Sequence, residues 1–444
     1  MARIGVIGAG IAGLTAAYRL HQTDHSVEVL EAADRPGGVI RSDEANGFLV
    51  EAGPNTIRPT PLLEQLVADL GLDDERVWAP DAAARRYIVR DGRPLALPTS
   101  LGAFLRTDLF STRAKLRLLA EPFVGRSSAE DESLAAFTRR RLGPEILDYA
   151  VAPFVGGVFA GDPEALSARH AFEKLTRLEA EYGSLFWGGL RRNGSPDDTP
   201  SGLYSFRDGV ETLPRALADA LDDHIAYDTP ATGLRPDGSG WRVAVEGGPT
   251  RAYDALLCTV PLHALSGLAL DTPVDRAPLA AVDYPPVHVV ALGYDRTAVD
   301  HPLDGFGMLV PPVEEQFDIL GTLFSSTLFP GRAPDDTVLL TTFVGGARAP
   351  ALAERPPAAV QSVVERDLDR LLGVSGPPIA AHHVHWPRAI PQYAPGYGRV
   401  KDTLAALEET HPGLFFAGNY RQGVSVGDAA ASGADAAERL QTRA

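Results

Sequence analysis

A single cysteine, Cys258, in a chain of 444 residues removes two kinds of chemistry at once. No disulfide can close within the chain, and no thiolate cluster can hold zinc or iron and sulfur. Lysine is almost as scarce: Lys115, Lys174 and Lys401 are the only three, and arginine supplies nearly all of the 41 basic residues set against 58 acidic ones. The resulting net charge of −17 makes nucleic acid and anionic membrane poor partners. Long hydrophobic runs are missing too, none reaching the ~18 residues that a membrane-spanning helix requires. The N-terminus enters a strand at Arg3 without a basic region and cleavage site, so no secretory signal is expected and the cytoplasm is the default, with peripheral attachment to the inner membrane left open. His382, His383 and His385 lie in AAHHVHW, an alternating stretch that sends neighbouring side chains to opposite faces of a strand, and no metal site is expected there.

What is present describes a folded protein of several lobes. The length is about three times the ~150-residue domain prior. Hydrophobic residues make up 45% and charged residues 22%, which excludes a disordered chain.

The first fifty residues carry the clearest chemistry. Ala2 to Gly8 reads as a buried parallel strand, Ile11 to Gln22 as a helix and Ser26 to Glu31 as a second strand. Gly8, Gly10 and Gly13 fill the GxGxxG pattern at the first turn, where the absent side chains let backbone approach a pyrophosphate. The helix start at Ile11 and Ala12 stabilises its charge. Glu31 lies 18 residues beyond Gly13, at the end of the second strand, where a carboxylate can accept hydrogen bonds from a ribose diol. A second cluster, Arg35, Gly37, Gly38 and Arg41, follows at once. Its glycines suit close backbone approach to a ligand, and its guanidinium groups could pair with phosphate. Gly53, Pro54 and Asn55 then form a sharp turn able to aim backbone N–H groups at an aromatic ring edge.

This combination resembles the amine oxidase and phytoene desaturase superfamily of flavoproteins, whose dinucleotide unit is extended by RxGG. The resemblance implies FAD, the first cradle holding ADP and the second serving the flavin half. It also implies that Ala231 offers its backbone to adenine and that Thr259, in DALLCTVP, belongs to the return to the FAD domain. Gly418, Val424, Ser425 and Val426, in GLFFAGNYRQGVSVGDAAASG, would bring a helix N-terminus to the flavin, and Trp386 would stand near its ring.

Across nearly the whole length, in the same order, RRYIVRDGRP with LPTSL, GGVFAGDPEALSARHAF, GFGMLVP, LGTLFSSTLFPGRAP, TTFVGG and IPQYAPGY resemble the protoporphyrinogen oxidase family. EAGPNT looks more like its plant-type branch than the branch acting on coproporphyrinogen. The resemblance implies that Arg86 meets a substrate propionate and that Gly157 and Gly161 let a tetrapyrrole approach backbone. Leu309, Leu323 and Phe343 would hold the macrocycle beside the flavin. Read on periodicity alone, those three are ordinary core positions and Arg86 a solvated edge residue. The implied reaction passes hydride from a meso carbon to flavin N5, with imine–enamine tautomerisation and reoxidation by dioxygen.

The expected fold is α/β: a Rossmann-like FAD domain (1–80, 203–262 and 386–444), a mixed-sheet substrate domain (81–99 and 263–385) and a helical lobe (100–202), the amine oxidase-like arrangement. The helical lobe could face a membrane or simply pack on the substrate lobe, and a homodimer is allowed. Rival readings are a coproporphyrinogen III oxidase, an amine oxidase, a carotenoid desaturase, and a non-enzymatic prenyl carrier of the same fold, which would lack a working FAD site.

Overall fold

The computed structural model describes residues 2–126, 131–192 and 202–443. Its first sheet contains five strands, all parallel, in the order Leu414–Phe416, Ala255–Cys258, Arg3–Ile7, Ser26–Leu30 and Ile225–Ala226. Arg3–Ile7 is central and buried at four of its five positions, which is why its sequence is almost continuously apolar. Helices Ile11–His21 and Val426–Arg443 lie together on one face. They approach closely because Gly433 has no side chain: a Cβ there would stand 2.0 Å from the Ala12 carbonyl oxygen.

A four-stranded sheet follows in the order Arg251–Tyr253, Gly240–Val245, Ala231–Asp237 and Ala269–Leu270. The last strand and the buried Leu262, Leu265, Leu279 and Tyr284 share one apolar cluster with the first sheet's Leu256, Cys258 and Phe416. Residues 263–285 thus pack with the nucleotide-side lobe, whereas the sequence division assigned them to the substrate domain. Nothing in their composition marks that choice, which is made by a parallel pairing with a distant strand.

The third sheet has seven strands, in the order Ala380–Trp386, Val287–Asp295, Thr337–Gly345, Ile319–Phe324, Gly307–Leu309, Arg86–Arg90 and Arg93–Ala96. Only the pairing of Arg86–Arg90 with Gly307–Leu309 is parallel, so the sheet is mixed. One face is closed by helix Pro357–Leu372, whose Val360, Val364 and Leu368 meet Tyr87, Met308, Phe324 and Leu340. The three histidines divide as the alternation requires. His383 lies 2.6 Å from His288, which stacks on His385, while His382 faces the other way, 2.8 Å from Asp43. Trp386, assigned from sequence to the FAD domain, ends the outer strand of this sheet.

Short helices make up the third lobe. Ser133 caps Leu134–Arg141 by accepting a hydrogen bond from the Ala136 N–H at 3.1 Å; Gly143, at φ 95°, ends the run and Pro144 starts the next helix. Ser, Gly and Pro in ESLAAFTRRRLGPE are the residue types by which a sequence shows where helices start and stop. The fully buried Arg141 is held by Glu179, Glu121 and the carbonyls of Val124 and Gly183. Parts of the lobe, 127–130 and 193–201, lie outside the described residues.

The Gly433 contact yields a direct test. Gly433→Ala must push apart two helices whose N-termini carry the nucleotide loops, so it should destabilise the protein by about 1–3 kcal/mol and lower flavin retention together. Thermal melting and flavin content after gel filtration measure both, and wild-type values would contradict the packing described.

Candidate active site

Every residue of the expected cofactor set in the first sheet stands just past a strand's C-terminal end. Gly8 follows Arg3–Ile7, Glu31 follows Ser26–Leu30, Thr259 follows Ala255–Cys258, and Gly418 comes two residues after Phe416. That edge of an open parallel sheet is where ligands bind in doubly wound folds. Gly8 turns at φ 104°, and a Cβ on Gly13 would lie 2.0 Å from the Gly8 carbonyl oxygen. The Thr259 hydroxyl donates to the Ile7 and Gly8 carbonyls and braces the loop from below. A Cβ on Gly10 would meet nothing within 4 Å, and no side chain caps the helix that starts at Ile11. The first N–H groups, those of Ile11, Ala12 and Gly13, have no carbonyl one turn earlier within the helix to bind, the arrangement that receives a pyrophosphate. The Glu31 carboxylate accepts from the Ala9 and Ala33 N–H groups at 2.6 and 2.8 Å. Each of its oxygens keeps a further lone pair for a ribose diol. The Thr229 N–H donates to the Glu31 carbonyl at 2.8 Å, which brings the strand beginning at Ala231 alongside.

The second cradle rests on the first. The Gly37 N–H donates to the Ala9 carbonyl at 2.8 Å, Gly10 and Gly37 form a bridge, and a Cβ on Gly38 would meet the Gly10 Cα at 3.4 Å. The GPN turn stacks beneath: a Cβ on Gly53 would meet the Val39 carbonyl oxygen at 2.0 Å, and the Asn55 amide donates to the Gly53 carbonyl. The two arginines have other work than phosphate pairing. Arg35 donates to the carbonyls of Pro36, Gly38 and Ile40 and lies 3.5 Å from Glu211, while Arg41 pairs with Asp43 at 2.6 Å. Both shape the loop. The sequence reading missed the brace beneath it. Ser42 binds both Glu211 and Glu51, and Glu51 meets Arg332 at 3.3 Å although 281 residues separate them. Arg332 also donates to Ser205 and to the carbonyls of Phe206 and Arg207. Glu51 could have been suspected as an acidic residue within an apolar strand, FLVE; Arg332 carried no signal.

The C-terminal segment reaches the same place. Gly418, at φ 143°, donates its N–H to the buried Ser432 hydroxyl, and Ser425 exchanges hydrogen bonds with Asp428 across the first turn of the helix starting at Val426. Val424 packs partly buried beside Tyr420. The Trp386 indole N–H donates to the Ala52 carbonyl at 2.7 Å, pinning the substrate sheet's edge to the GPN turn.

The open face of the seven-stranded sheet gathers the expected substrate residues. Arg86, Gly307, Leu323 and Thr341 form one cross-strand row, and Ile88, Leu309, Gly321 and Phe343 the next row of the same face. Three inter-strand steps separate Arg86 from the strand of Phe343, about 14 Å at the usual strand spacing. Leu309, Leu323 and Phe343 are each half-buried and touch three different apolar clusters. Gly157 sits on this floor, since a Cβ there would meet Leu309 at 2.7 Å. Gly161 is tied more closely to Gln392, at 2.4 Å from the equivalent point, than to the floor. Arg86 is exposed, lies over the Phe306 ring at 5.0 Å and pairs with no carboxylate among the described residues. Its neighbour Arg85 is committed to Asp304, which also accepts from Tyr87. The open face therefore offers Leu309, Leu323 and Phe343 as an apolar surface with the Arg86 guanidinium at its rim.

Burial and the nearby Glu211 push the Glu51 carboxyl up to about 7, against the pull of Arg332 and Ser42. The folded protein thus holds a proton that the unfolded chain sheds near its ordinary value of 4.5. The stability this contributes is complete below the unfolded value and is lost as pH rises toward the folded one. The wild-type apoprotein should lose melting temperature relative to Glu51→Gln as pH rises from about 4.5 to about 7. Parallel profiles would contradict the assignment. Glu31→Ala should loosen FAD by about 1–3 kcal/mol, read from flavin fluorescence on dilution; unchanged retention would remove Glu31 from the site.

The chain matches the family described as flavin containing amine oxidoreductase over residues 11–441. It is 36% identical to protoporphyrinogen oxidase 2, chloroplastic/mitochondrial, of Arabidopsis thaliana, over 98% of this chain and 93% of the relative. It is 27% identical to coproporphyrinogen III oxidase of Staphylococcus aureus (strain NCTC 8325 / PS 47), over 98% of both chains. Among solved structures it superposes on an Exiguobacterium sp. 255-15 protein provisionally assigned as a protoporphyrinogen oxidase, with a TM-score of 0.84 at 23% identity, covering 100% of this chain and 99% of the other. A putrescine oxidase variant gives 0.72 at 18% identity, covering 100% and 99%. These two show the fold, the amine oxidase-like arrangement expected from sequence. With its nucleotide cradles in place, the chain is an FAD-dependent oxidoreductase and belongs to the flavin-containing amine oxidoreductase family.

Proposed function

We propose that the chain oxidises protoporphyrinogen IX to protoporphyrin IX, with dioxygen as the final acceptor. The observation that carries this reading is the open sheet face: an apolar floor of Leu309, Leu323 and Phe343, about 14 Å from Arg86 to the strand of Phe343, with the Arg86 guanidinium at one end. A porphyrinogen is a broad, mostly hydrocarbon disc whose carboxylates lie along part of its rim. Bound FAD supplies the two-electron oxidation. The work of the chain is to bind, orient and exclude water. Leu309, Leu323 and Phe343 receive the ring, and Arg86 takes one propionate as a forked ion pair. With Arg86 as the cation at this rim, the face favours the substrate with two carboxylates, because each extra carboxylate brought into a dry cleft without a partner costs desolvation energy. Relatives acting on coproporphyrinogen III make the tetracarboxylate the second reading.

The helical lobe supports a peripheral membrane contact. Leu101, Leu105, Leu116, Leu119, Phe123 and Trp187 are all exposed on short helices, Phe123 to 90%. Among the described residues no helix is long and apolar enough to cross a bilayer. Side chains of this kind anchor a protein at a headgroup boundary, with arginine and lysine stems beside them.

Anaerobic mixing with each porphyrinogen should bleach the flavin faster with protoporphyrinogen, and Arg86→Ala should raise its KM about 10- to 100-fold while FAD binding stays unchanged. Arg86→Lys should recover only part of the loss. Preference for coproporphyrinogen would overturn the substrate, and no bleaching by either would overturn the reaction. For the membrane contact, Leu116→Glu with Leu119→Glu should abolish co-sedimentation with phosphatidylcholine vesicles. Equal sedimentation of wild type and variant would remove this face.

A further inference from the structure

The helix Ala152–Phe159 is held in place by two unusual backbone features. A π-helical turn, Leu147–Val151, runs directly into it, and Ala160 ends it in the left-handed region at φ 47°, a costly conformation for a residue with a Cβ. The Ala160 carbonyl accepts from the Ala347 N–H at 2.8 Å, which fastens that end to the segment following the strand of Phe343. Such features persist where the surroundings fix a helix in one orientation.

That orientation can be read from contacts. Gly157 meets Leu309, and a Cβ on Gly156 would stand 4.0 Å from Leu320, so the paired glycines lay the helix on the sheet's open face. Val155 and Phe159 point into the helical lobe beside Leu134, Phe137 and Leu166. At about 100° per residue, Phe154 and Val158 then project roughly 60° and 100° round from Gly157, on the side away from Gly156. They flank Gly157, the residue that meets the floor at Leu309. Phe154 is 47% exposed and Val158 39%, although both are large and apolar. Phe154 is steadied by Phe172, ring centres 6.0 Å apart. Apolar side chains left open beside an apolar floor mark a binding surface.

We propose that Phe154 and Val158 form a second wall of the substrate cleft and determine specificity, by receiving the uncharged, vinyl-bearing edge of the ring while Arg86 holds a carboxylate. This rests on the porphyrinogen reading above and adds the determinant of which tetrapyrrole fits. The wall offers no cation, so a propionate directed at it would lose water without gaining a partner.

The experiment titrates FAD-loaded protein with protoporphyrin IX and, separately, with coproporphyrin III, following porphyrin fluorescence. Phe154→Ala and Val158→Ala should each weaken protoporphyrin IX binding about 5- to 30-fold, a typical effect for an apolar anchor. Flavin content and melting temperature should stay at wild-type values, because both side chains are exposed in the free protein. Val158→Lys should narrow or reverse the preference for protoporphyrin over coproporphyrin. Wild-type protein that binds neither porphyrin overturns the substrate reading beneath this inference. Wild-type binding of protoporphyrin IX with unchanged affinity in both alanine variants, or an unchanged preference in Val158→Lys, overturns the wall alone.

Discussion

Backbone must touch backbone at Gly13, Gly37 and Gly53, and the rest of the molecule is arranged around that requirement. The Gly37 N–H binds the Ala9 carbonyl, and Gly53 lies under Val39 with no room for a Cβ. The two glycine clusters therefore make one continuous surface in which N–H groups and a helix terminus face outward, as a dinucleotide with two phosphates needs. Because the strand ends that carry this surface belong to segments hundreds of residues apart, the chain must leave the nucleotide lobe and return to it twice. Long excursions between the returns build the substrate sheet and the helical lobe.

Charge then fixes how the lobes meet. Polar groups cannot be buried without partners, so the junction links them: Arg35 with Glu211, Glu211 and Glu51 through Ser42, and Glu51 with Arg332. The indole of Trp386 on the Ala52 carbonyl adds a neutral pin on the other side. Between these braces the sheet's open face carries Leu309, Leu323 and Phe343, with Arg86 at its rim. The opposite face of the same strands is filled by the helix Pro357–Leu372, which leaves only one side for a ligand.

Legibility in the sequence followed the range of the forces involved. The βαβ unit was readable because its glycines, its apolar strands and Glu31 act within some thirty residues, and the cap at Ser133 because a cap is a local hydrogen bond. The resemblance placed Arg86, Leu309, Leu323 and Phe343, which periodicity alone describes as an edge residue and core. What puts them on one face is the register of four strands, a property no local window contains. The fate of Arg35 was also hidden: a guanidinium that could meet phosphate instead folds back on its own loop, because three carbonyls turn inward there. Residues 263–285 joined the nucleotide lobe through a strand pairing of just two residues, too short to leave a pattern. Phe154 and Val158 carry no signal in the sequence, because a large apolar residue in a helix is normally core; only the contacts of Gly157 show which way they turn.

The central claim is that one face of the seven-stranded sheet, open toward the nucleotide cradles, receives a tetrapyrrole ring. A crystal structure of the FAD-loaded protein with protoporphyrin IX tests it most directly. The account predicts the ring lying on Leu309, Leu323 and Phe343, with one propionate on Arg86 and the flavin across the Gly10–Gly37 bridge. A porphyrin bound away from that face, or lying there with its carboxylates turned from Arg86, would contradict it.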